Sequence, residues 1–423
     1  MHGEIGLYPI LCAFFCTNYQ HITNFSYICW NTKTHSNQYR MNKSNRFKGI
    51  LVVVITSSMF AACTSKPQVK DDGTLSTVSI NGRALTVCDI SKVKDTLEIP
   101  LSEWVEDFQI VRFEDKDTAF FKMWWPAITD KHIGIRQHGG AFKLFDRQGK
   151  FLCDIGGVGQ GPGEYRSLYS ELIDEKNKCI YLAPFFGSDK ILKYGMDGKF
   201  DTGLEVGEKM NKPKLTLNED GSLSVVHLCF KESSKMLAAH IDKDGTVTRY
   251  LPSANEGVSS MDNEGAFVGF NHEIWSYNNV SEPSYKYTYA DTLYHYDWKN
   301  NQTEACFATV NGPKDSFKIY IELPDKYVVI IFGSGTLVAD TRTKSSEFVK
   351  LRNDFVGGIE APVNFSNGYF FAVYEPLQLM DRIESRLAES DCTEKDKKVL
   401  NELLRSLDED DNNIMFIGKL KKD

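Results

Sequence analysis

The sequence predicts an all-β protein, a six-bladed β-propeller closed by its N- and C-terminal strands, with a two-helix insertion in the last blade. Three observations lead to this prediction: a recurring turn, short β-rich runs between its copies, and a strand pattern at each end of the folded part. The copies of the turn end 49, 47, 55 and 43 residues apart, a period typical of propellers built from short strands. The copies lie at 145–149, 194–198, 241–245, 296–300 and 339–343.

The composition is that of a large folded unit and argues against nucleic-acid binding. Of the 423 residues, 42% are hydrophobic and 12% are aromatic, which is enough for an extensive core. Five basic residues and one acidic residue precede Cys63, so the remainder holds 44 basic and 56 acidic residues. The resulting net charge of −12 repels phosphate backbones, and we expect no nucleic-acid partner.

Residues 41–62 have the features of a secretory leader. Three basic residues are followed by an apolar run at 49–59, which is too short to cross a bilayer as a helix, and by small residues. A cysteine directly after two alanines resembles the lipobox of bacterial lipoproteins, in which Cys63 is lipidated and becomes the mature N-terminus. Phe60 departs from that pattern, where leucine is usual. The alternative is that Cys63 is an ordinary leader residue.

Two further segments precede the folded part. Residues 1–40 match neither a leader nor a blade, and we expect them to be an untranslated upstream extension, with translation starting at Met41. Recovery of peptides from 1–40 by mass spectrometry would refute this. Residues 63–74 are polar and contain Pro67, which predicts a flexible tether between the lipid and a propeller that spans 75–423.

The cysteines after Cys63 give no sign of a metal site. None forms a C-x-x-C pair, and several lie within apolar strand patterns, where thiols pack as small hydrophobic groups. One disulfide is compatible with an exported protein, and the sequence does not select its partners. These cysteines are Cys88, Cys153, Cys179, Cys229, Cys306 and Cys392.

Four strand patterns separated by turn residues define each blade. Blade 1 is predicted at 124–128, 132–136, 142–145 and 151–155, blade 2 at 170–173, 179–182, 190–194 and from 200, and blade 3 at 214–217, 223–230, 236–241 and 246–251. Blade 4 is predicted at 267–271, 273–277, 292–296 and 303–307, and blade 5 at 317–321, 327–332, 336–340 and 347–351. Weaker strand patterns precede blade 1, between 74 and 97.

Blade 6 is predicted from 359–364, 369–374 and 414–420, which leaves it one strand short. The strand pattern at 108–113 fills the gap, so the ring closes by pairing the two ends of the chain and leaves no exposed sheet edge there. An insertion at about 375–413 interrupts this blade. Its apolar residues recur every three or four positions and predict two amphipathic helices, the second starting near Asp391.

The loop 156–165, Gly-Gly-Val-Gly-Gln-Gly-Pro-Gly-Glu-Tyr, joins blade 1 to blade 2. Glycine-rich loops cradle phosphate at helix starts, but strands flank this loop and no Lys-Ser/Thr pair follows. Its glycines instead indicate a tight crossover with positive φ angles, beneath which Tyr165 packs.

Three segments resemble a known family. The loop 156–165 is similar to an NHL-type repeat, and with 101–108 and 416–421 it resembles the six-bladed β-propeller (NHL/TolB-like) lipoproteins of Bacteroidota. The resemblance implies this fold over about 75–423 and a lipid anchor in the outer membrane, on the periplasmic side or at the cell surface. The acids Asp71 and Asp72 resemble that group's surface-export signal. The resemblance implies no reaction.

Propeller ligands usually bind at the face that carries the blade crossovers and the loops between second and third strands, an inference by analogy. On that face, Arg136 and Arg166 are candidates to bind an anionic group. The alternative is that they pair with acids such as Glu164 or Glu171. The helical insertion lies at the same face, either as a lid or as a structural cap on blade 6.

A tyrosine-rich loop gives the second group of candidates. Tyr277 and Asn278 combine an aromatic face with an amide, a pairing suited to a sugar, unless the tyrosines are one face of a strand. With the crossover loop, the candidate ligand-binding residues are Arg136, Gln160, Glu164, Tyr165, Arg166, Tyr277 and Asn278.

No motif for catalysis or metal binding is present: the sequence has no H-E-x-x-H and no G-x-S-x-G. We therefore predict no catalytic residue, no metal ligand and no cofactor, apart from Ca²⁺ in the central channel as an open alternative. The favoured function is a lipid-anchored, non-enzymatic module that binds a glycan, peptide or envelope protein. The alternatives are a metal-dependent propeller hydrolase or lyase and a structural subunit of an outer-membrane assembly.

Overall fold

The computed structural model arranges six antiparallel sheets as the blades of a β-propeller around a central channel. It describes residues 70–80, 82–253, 257–314 and 316–422. The six-bladed, all-β prediction is confirmed. The predicted leader, the lipidation site Cys63 and residues 1–40 lie outside the described residues.

Blades 1 to 3 each contain four strands in chain order, with the first strand innermost. Blade 1 comprises Met123–Ile128, His132–Gln137, Phe142–Asp146 and Phe151–Ile155. Blade 2 comprises Leu168–Asp174, Cys179–Pro184, Phe186–Gly195 and Phe200–Asn211. Blade 3 comprises Lys214–Leu217, Leu223–Val226, Met236–Ile241 and Val247–Pro252.

Blades 4 and 5 carry additional strands at their outer edges. Blade 4 comprises Ile274–Trp275, Ser284–Tyr287, Thr292–Asp297 and Gln302–Val310, extended by Arg83–Asp89 and Leu75–Ile80. Blade 5 comprises Lys318–Leu323, Lys326–Ile331, Gly335–Asp340 and Ser345–Asn353, extended by Thr96–Pro100 and Ile359–Ala361. The segment before the ring thus covers two outer strands whose backbone groups would otherwise be unpaired.

Blade 6 closes the ring as predicted. It comprises Phe365–Ser366, Tyr369–Tyr374, Ile414–Leu420 and, from the start of the ring, Val105–Arg112. The last two strands pair antiparallel, with Phe416 opposite Ile110. Phe108 contacts Phe416 on the strand paired with its own, with 5.8 Å between ring centroids, so aromatic packing adds to the hydrogen bonds at the closure.

The recurring turn connects the third and fourth strands of a blade and packs against the preceding blade. In blade 1, Asp146 accepts hydrogen bonds from the backbone of Gln148 and Lys150 at 3.0 and 2.9 Å. Gly149 has a φ of +87°, and a Cβ there would lie 2.2 Å from the carbonyl oxygen of Arg112 in blade 6. This copy of the turn therefore requires glycine both for its backbone conformation and for the contact between blades.

Two strand predictions in blades 4 and 6 are wrong. In blade 4, residues 267–271 contain the 3₁₀ turn Gly269–Asn271, and Ser284–Tyr287 was not predicted. In blade 6, Ile359–Ala361 pairs with blade 5, and the inner strand is Phe365–Ser366. The strand prediction for blade 4 is wrong because the chain leaves the sheet after the two residues of its first strand, Ile274–Trp275.

The helical insertion is confirmed, as Pro376–Ala388 and Glu394–Arg405. The second helix starts later than predicted, because Thr393 caps it in a reciprocal arrangement with Asp396, whereas Asp391 forms an ion pair with Arg386 at 2.6 Å. Leu379, Ile383, Leu400 and Leu403 are buried in the core shared with blades 5 and 6. Neither described helix is long and apolar enough to cross a membrane.

Six cysteines lie in the described part of the chain, and no disulfide joins any two of them.

Candidate ligand site in the central channel

The central channel contains a small polar cavity lined by inner strands of several blades. It has room for only about one or two water molecules. Because the first strands converge on the axis, side chains far apart in the sequence meet there. The lining includes Trp125, Arg136, Tyr169, Glu171, Lys214 and Asn278.

Arg136 and Glu171 form a buried ion pair on one wall. Arg136 lies opposite Trp125 in blade 1, and Glu171 lies in the first strand of blade 2. The Arg136 Nε and Glu171 Oε2 atoms are 2.7 Å apart, without the alignment of a hydrogen bond, and both side chains are 4% exposed. Burial raises the pKa of Glu171, although the Arg136 charge opposes this. The pair is thus fixed in the channel wall.

Arg136 is also surrounded by aromatic rings. Its guanidinium carbon lies 4.5 Å from the centroid of the Trp124 ring, which stacks on His138 at 4.1 Å. Trp124 is half-buried. An arginine held against aromatic faces keeps its charge while losing water, so it presents a directional cationic group near the cavity.

Lys214 is the cationic group without a close counter-ion. It begins the first strand of blade 3, and its Nζ lies 4.5 Å from the centroid of the Tyr169 ring. Among the described residues, no carboxylate oxygen lies within 4.0 Å of this amine. Burial and the Arg136 charge lower the pKa of Lys214 to about 8, although the charges of Glu171 and Glu273, which lie beyond 4.0 Å, oppose this shift. The side chain is half-buried by surface area, but its amine is desolvated by the channel walls.

A second polar layer holds Tyr169 in position. Its hydroxyl donates to Glu273 in blade 4, and the other carboxylate oxygen of Glu273 lies 2.5 Å from the Nζ of Lys212. The Lys212 side chain is fully buried, and burial lowers its pKa. Burial and the Glu273 charge raise the pKa of Tyr169 well above its usual value. This network joins blades 2, 3 and 4.

Residues 277–279 cross the channel and form the floor of the cavity. After Trp275 the chain leaves blade 4, and Asn278, with a φ of +52°, donates its amide to the Leu215 carbonyl of blade 3 at 2.9 Å. Asn279 reaches blade 6, where its amide donates to Phe365 O at 3.1 Å and its oxygen accepts from Gly368 N at 3.0 Å. The floor is thus tied to two blades besides its own.

Tyr277 anchors this floor in the core. Its side chain is 7% exposed, and its ring centroid lies 5.8 Å from that of Trp125 in blade 1. The predicted candidates Arg136 and Asn278 therefore line the cavity together, with Tyr277 behind them. Asn278 uses its amide to hold the floor, so only part of its hydrogen-bonding capacity faces a ligand.

The remaining candidates lie in the crossover loop and outside the cavity lining. Gln160, Glu164 and Arg166 are exposed, and Glu164 accepts a hydrogen bond from Gly161 N at 2.7 Å. Tyr165 is buried beneath the loop, as expected, and its hydroxyl donates to Ile155 O at 2.7 Å. The structure therefore separates these four residues from Arg136 and Asn278.

Sequence reasoning missed Lys214 and Tyr169, and considered Glu171 only as an ion-pair partner. The available signal was a charged residue in an otherwise apolar first strand, as in Leu-Tyr-Ser-Glu-Leu-Ile and Lys-Leu-Thr-Leu. Since first strands face the channel, such charges converge on it.

Fold and cavity together define a six-bladed β-propeller whose channel is closed at one end by its own chain. The chain belongs to the family described as domain of unknown function DUF4934, whose model matches residues 85–419. Among curated proteins, none matches.

One solved structure supports the fold, and two with lower TM-scores carry no argument. A protein from Bacteroides fragilis NCTC 9343, named as exported, has a TM-score of 0.56 at 17% identity, covering 78% of this chain and 99% of that one. Virginiamycin B lyase from Staphylococcus aureus has a TM-score of 0.34 at 10% identity, covering 74% of this chain and 99% of that one. The Neurospora crassa Pan2 WD40 domain has a TM-score of 0.34 at 11% identity, covering 71% of this chain and 76% of that one. The last two scores are too low to bear on function.

Proposed function

We propose that this chain is an exported, lipid-anchored β-propeller that binds the acidic end of a glycan in its central channel and catalyses no reaction on it. The observation that carries the proposal is the Lys214 amine, which lines a small polar cavity and has no carboxylate within 4.0 Å among the described residues. Burying a charged amine away from water costs free energy unless an anion pairs with it. A carboxylate of the ligand would provide that negative charge.

The size and walls of the cavity favour an acidic sugar. Because the enclosed space holds only about one or two water molecules, it admits a carboxylate and not a whole ring. The ring would then rest outside, near the half-buried Trp124. Aromatic faces stack on the apolar faces of sugars, while Arg136 and Lys214 address the carboxylate.

Export and anchoring rest on the leader and on Cys63. The exported Bacteroides fragilis protein with the same fold is consistent with this location. Growth with an alkyne fatty acid should label the wild-type chain, and Cys63→Ala should abolish the label and release the protein from the membrane fraction. Equal labelling of the two proteins would contradict lipidation at Cys63.

Calorimetric titration tests the binding proposal. We expect trigalacturonate to bind the purified chain and galactotriose, its neutral counterpart, to bind at least about tenfold more weakly. Lys214→Met should weaken trigalacturonate binding by about 10- to 100-fold, as loss of a charge-assisted hydrogen bond does. The control is Lys190→Met, an exposed lysine paired with Glu205 at 2.6 Å in blade 2. Equal affinity of wild type and Lys214→Met would overturn the proposal.

Two additional titrations define the ligand class. A short peptide with a free C-terminal carboxylate, compared with its amidated form, tests the peptide alternative: tighter binding than trigalacturonate would reassign the ligand. Addition of Ca²⁺ tests the calcium alternative. We expect no change in affinity, because Arg136 and Lys214 already place positive charge at the cavity.

A further inference from the structure

A second group of chemically active side chains lies between blades 4 and 5, away from the channel cavity. His295 is in the third strand of blade 4, Cys306 is in its fourth strand, and Glu322 is in the first strand of blade 5. The His295 Nε2 and Glu322 Oε2 atoms are 2.7 Å apart. One donor atom from each residue, including the Cys306 Sγ, lies within 4.8 Å of the other two. We call these residues the interblade triad.

Cys306 lies at a β-bulge in the fourth strand of blade 4. Leu293 pairs with Phe307 and Tyr294 pairs with Ala305, so Cys306 is the additional residue between two regular pairs. In a bulge, two residues of one strand oppose a single residue of the other, which re-aims the inserted side chain. His295 pairs with Glu304, and Cys306 lies two residues beyond Glu304, so strand alternation places its thiol on the same face as the His295 imidazole.

The electrostatic surroundings of the triad favour a cation. The main charges acting on the His295 imidazole and on the Cys306 thiol come from carboxylates, Glu322 and Glu282. Glu322 is buried and the other two members of the triad are half-buried. Burial, followed by the Glu322 charge, raises the pKa of the Cys306 thiol, so the thiol stays protonated when only protein groups surround it.

We propose that the interblade triad binds a divalent transition-metal ion, with Zn²⁺ as the best match. Imidazole nitrogen, thiolate sulfur and carboxylate oxygen are all zinc donors, and three protein ligands leave a fourth position for water. On binding, the thiol proton and any proton shared by His295 and Glu322 pass to the solvent, and the lone pairs of sulfur and nitrogen turn to the metal. The ion would link blade 4 to blade 5, because its ligands come from both.

The test uses the full chain, stripped of metal with a chelator and titrated with Zn²⁺ and with Co²⁺. We expect one Zn²⁺ per chain that depends on the triad, and a Co²⁺ complex with a thiolate-to-cobalt charge-transfer band. Cys306→Ser should abolish that band and weaken Zn²⁺ binding by more than about 100-fold, beyond the usual effect of changing an outer-shell partner. His295→Gln is the second variant, and circular dichroism checks that each variant is folded.

Cys153→Ser is the matched control, because Cys153 is also a half-buried cysteine in the outer strand of a blade. This variant should bind both ions like the wild type. Three results would overturn the proposal: no Zn²⁺ bound by the wild type, Zn²⁺ binding that is unchanged in both Cys306→Ser and His295→Gln, or an equal loss in Cys153→Ser. A Co²⁺ spectrum without a thiolate band would likewise exclude Cys306 as a ligand.

Discussion

Blade 2 and blade 4 have the same position in the fold but differ in regularity. The first strand of blade 2, Leu168–Asp174, has seven residues, all of them buried. The first strand of blade 4, Ile274–Trp275, has two residues, after which the chain crosses the channel. Blade 4 also contains the bulge at Cys306. The regular blade maintains the ring, whereas the irregular one supplies the channel floor and most of the interblade triad.

This difference shows where function can arise in a repeated architecture. In a blade that follows the repeat, the first strand is buried and its backbone is hydrogen-bonded within the sheet, so no segment of it crosses the channel. A blade that leaves the repeat must satisfy its polar groups elsewhere, and residues 278 and 279 do so on blades 3 and 6. The predictions below compare changes at the irregular floor and channel with changes at regular positions.

The largest effect is expected for Tyr277→Ala, which removes the anchor of the channel floor. Loss of a buried aromatic ring should lower the free energy of unfolding by about 3–5 kcal/mol, measured by urea denaturation. Tyr194→Ala in blade 2 removes another buried tyrosine and should have a similar cost. Only Tyr277→Ala should also abolish trigalacturonate binding under conditions where both variants are folded. Equal loss of binding would remove the distinction between the two blades.

Arg136→Met tests the buried ion pair of the channel wall. Leaving Glu171 as an unpaired buried charge should cost about 3–5 kcal/mol at pH 7, whereas the double variant Arg136→Met/Glu171→Met should cost under about 1 kcal/mol. The raised pKa of Glu171 means that the carboxyl is neutral in the folded state at acid pH. The cost of the single variant should therefore shrink as the pH falls through the folded-state pKa of Glu171. A cost independent of pH would contradict this explanation.

Lys214→Met should stabilise the free protein while weakening ligand binding. The folded-state pKa of about 8 lies below the unfolded value of 10.5, so the charged amine opposes folding fully below pH 8 and progressively less up to pH 10.5. Removing it should raise the free energy of unfolding by about 1 kcal/mol at pH 7, discounted for its partial access to water. The gain should diminish at pH 9.5. A destabilised variant would show that the amine has a structural partner.

His295→Gln should have the smallest effect, provided that metal is removed. Burial lowers the pKa of His295, but its hydrogen bond to Glu322 and that charge raise it more, so the net shift is upward. The ion pair therefore stabilises the fold at pH values below the unfolded-state pKa of about 6.5. This contribution is lost as the pH rises through the folded-state pKa. The variant should lose about 0.5–1 kcal/mol at pH 6 and almost nothing at pH 9. Unfolding curves at the two values check this.

The regular part of the fold could be predicted from the sequence, because the residues of its recurring turn are fixed by local backbone conformation and by contact with the preceding blade. Gly149 is needed both for a positive φ and for the contact with Arg112, and Gly198 and Gly245 make the corresponding contacts in blades 2 and 3. Blade 4 could not be predicted in the same way. Its contacts join Asn278 to Leu215 and Asn279 to Phe365, pairs distant in sequence that no local pattern reveals.

The candidate site was predictable only in part, for a related reason. Arg136 and Asn278 were selected for their chemistry, and both line the cavity. Lys214 was not selected, since a lysine at the start of an apolar strand resembles an ordinary strand end. Its significance depends on the finding that no carboxylate oxygen of the described residues lies within 4.0 Å of its amine, which only a three-dimensional arrangement reveals.

A crystal structure of the chain with trigalacturonate would show whether the Lys214 amine binds the ligand carboxylate. We expect one carboxylate within about 3 Å of the Lys214 amine, above a floor formed by Asn278, with the sugar ring beside Trp124. A sugar bound elsewhere, or a channel left open because residues 277–279 do not cross it, would contradict the account.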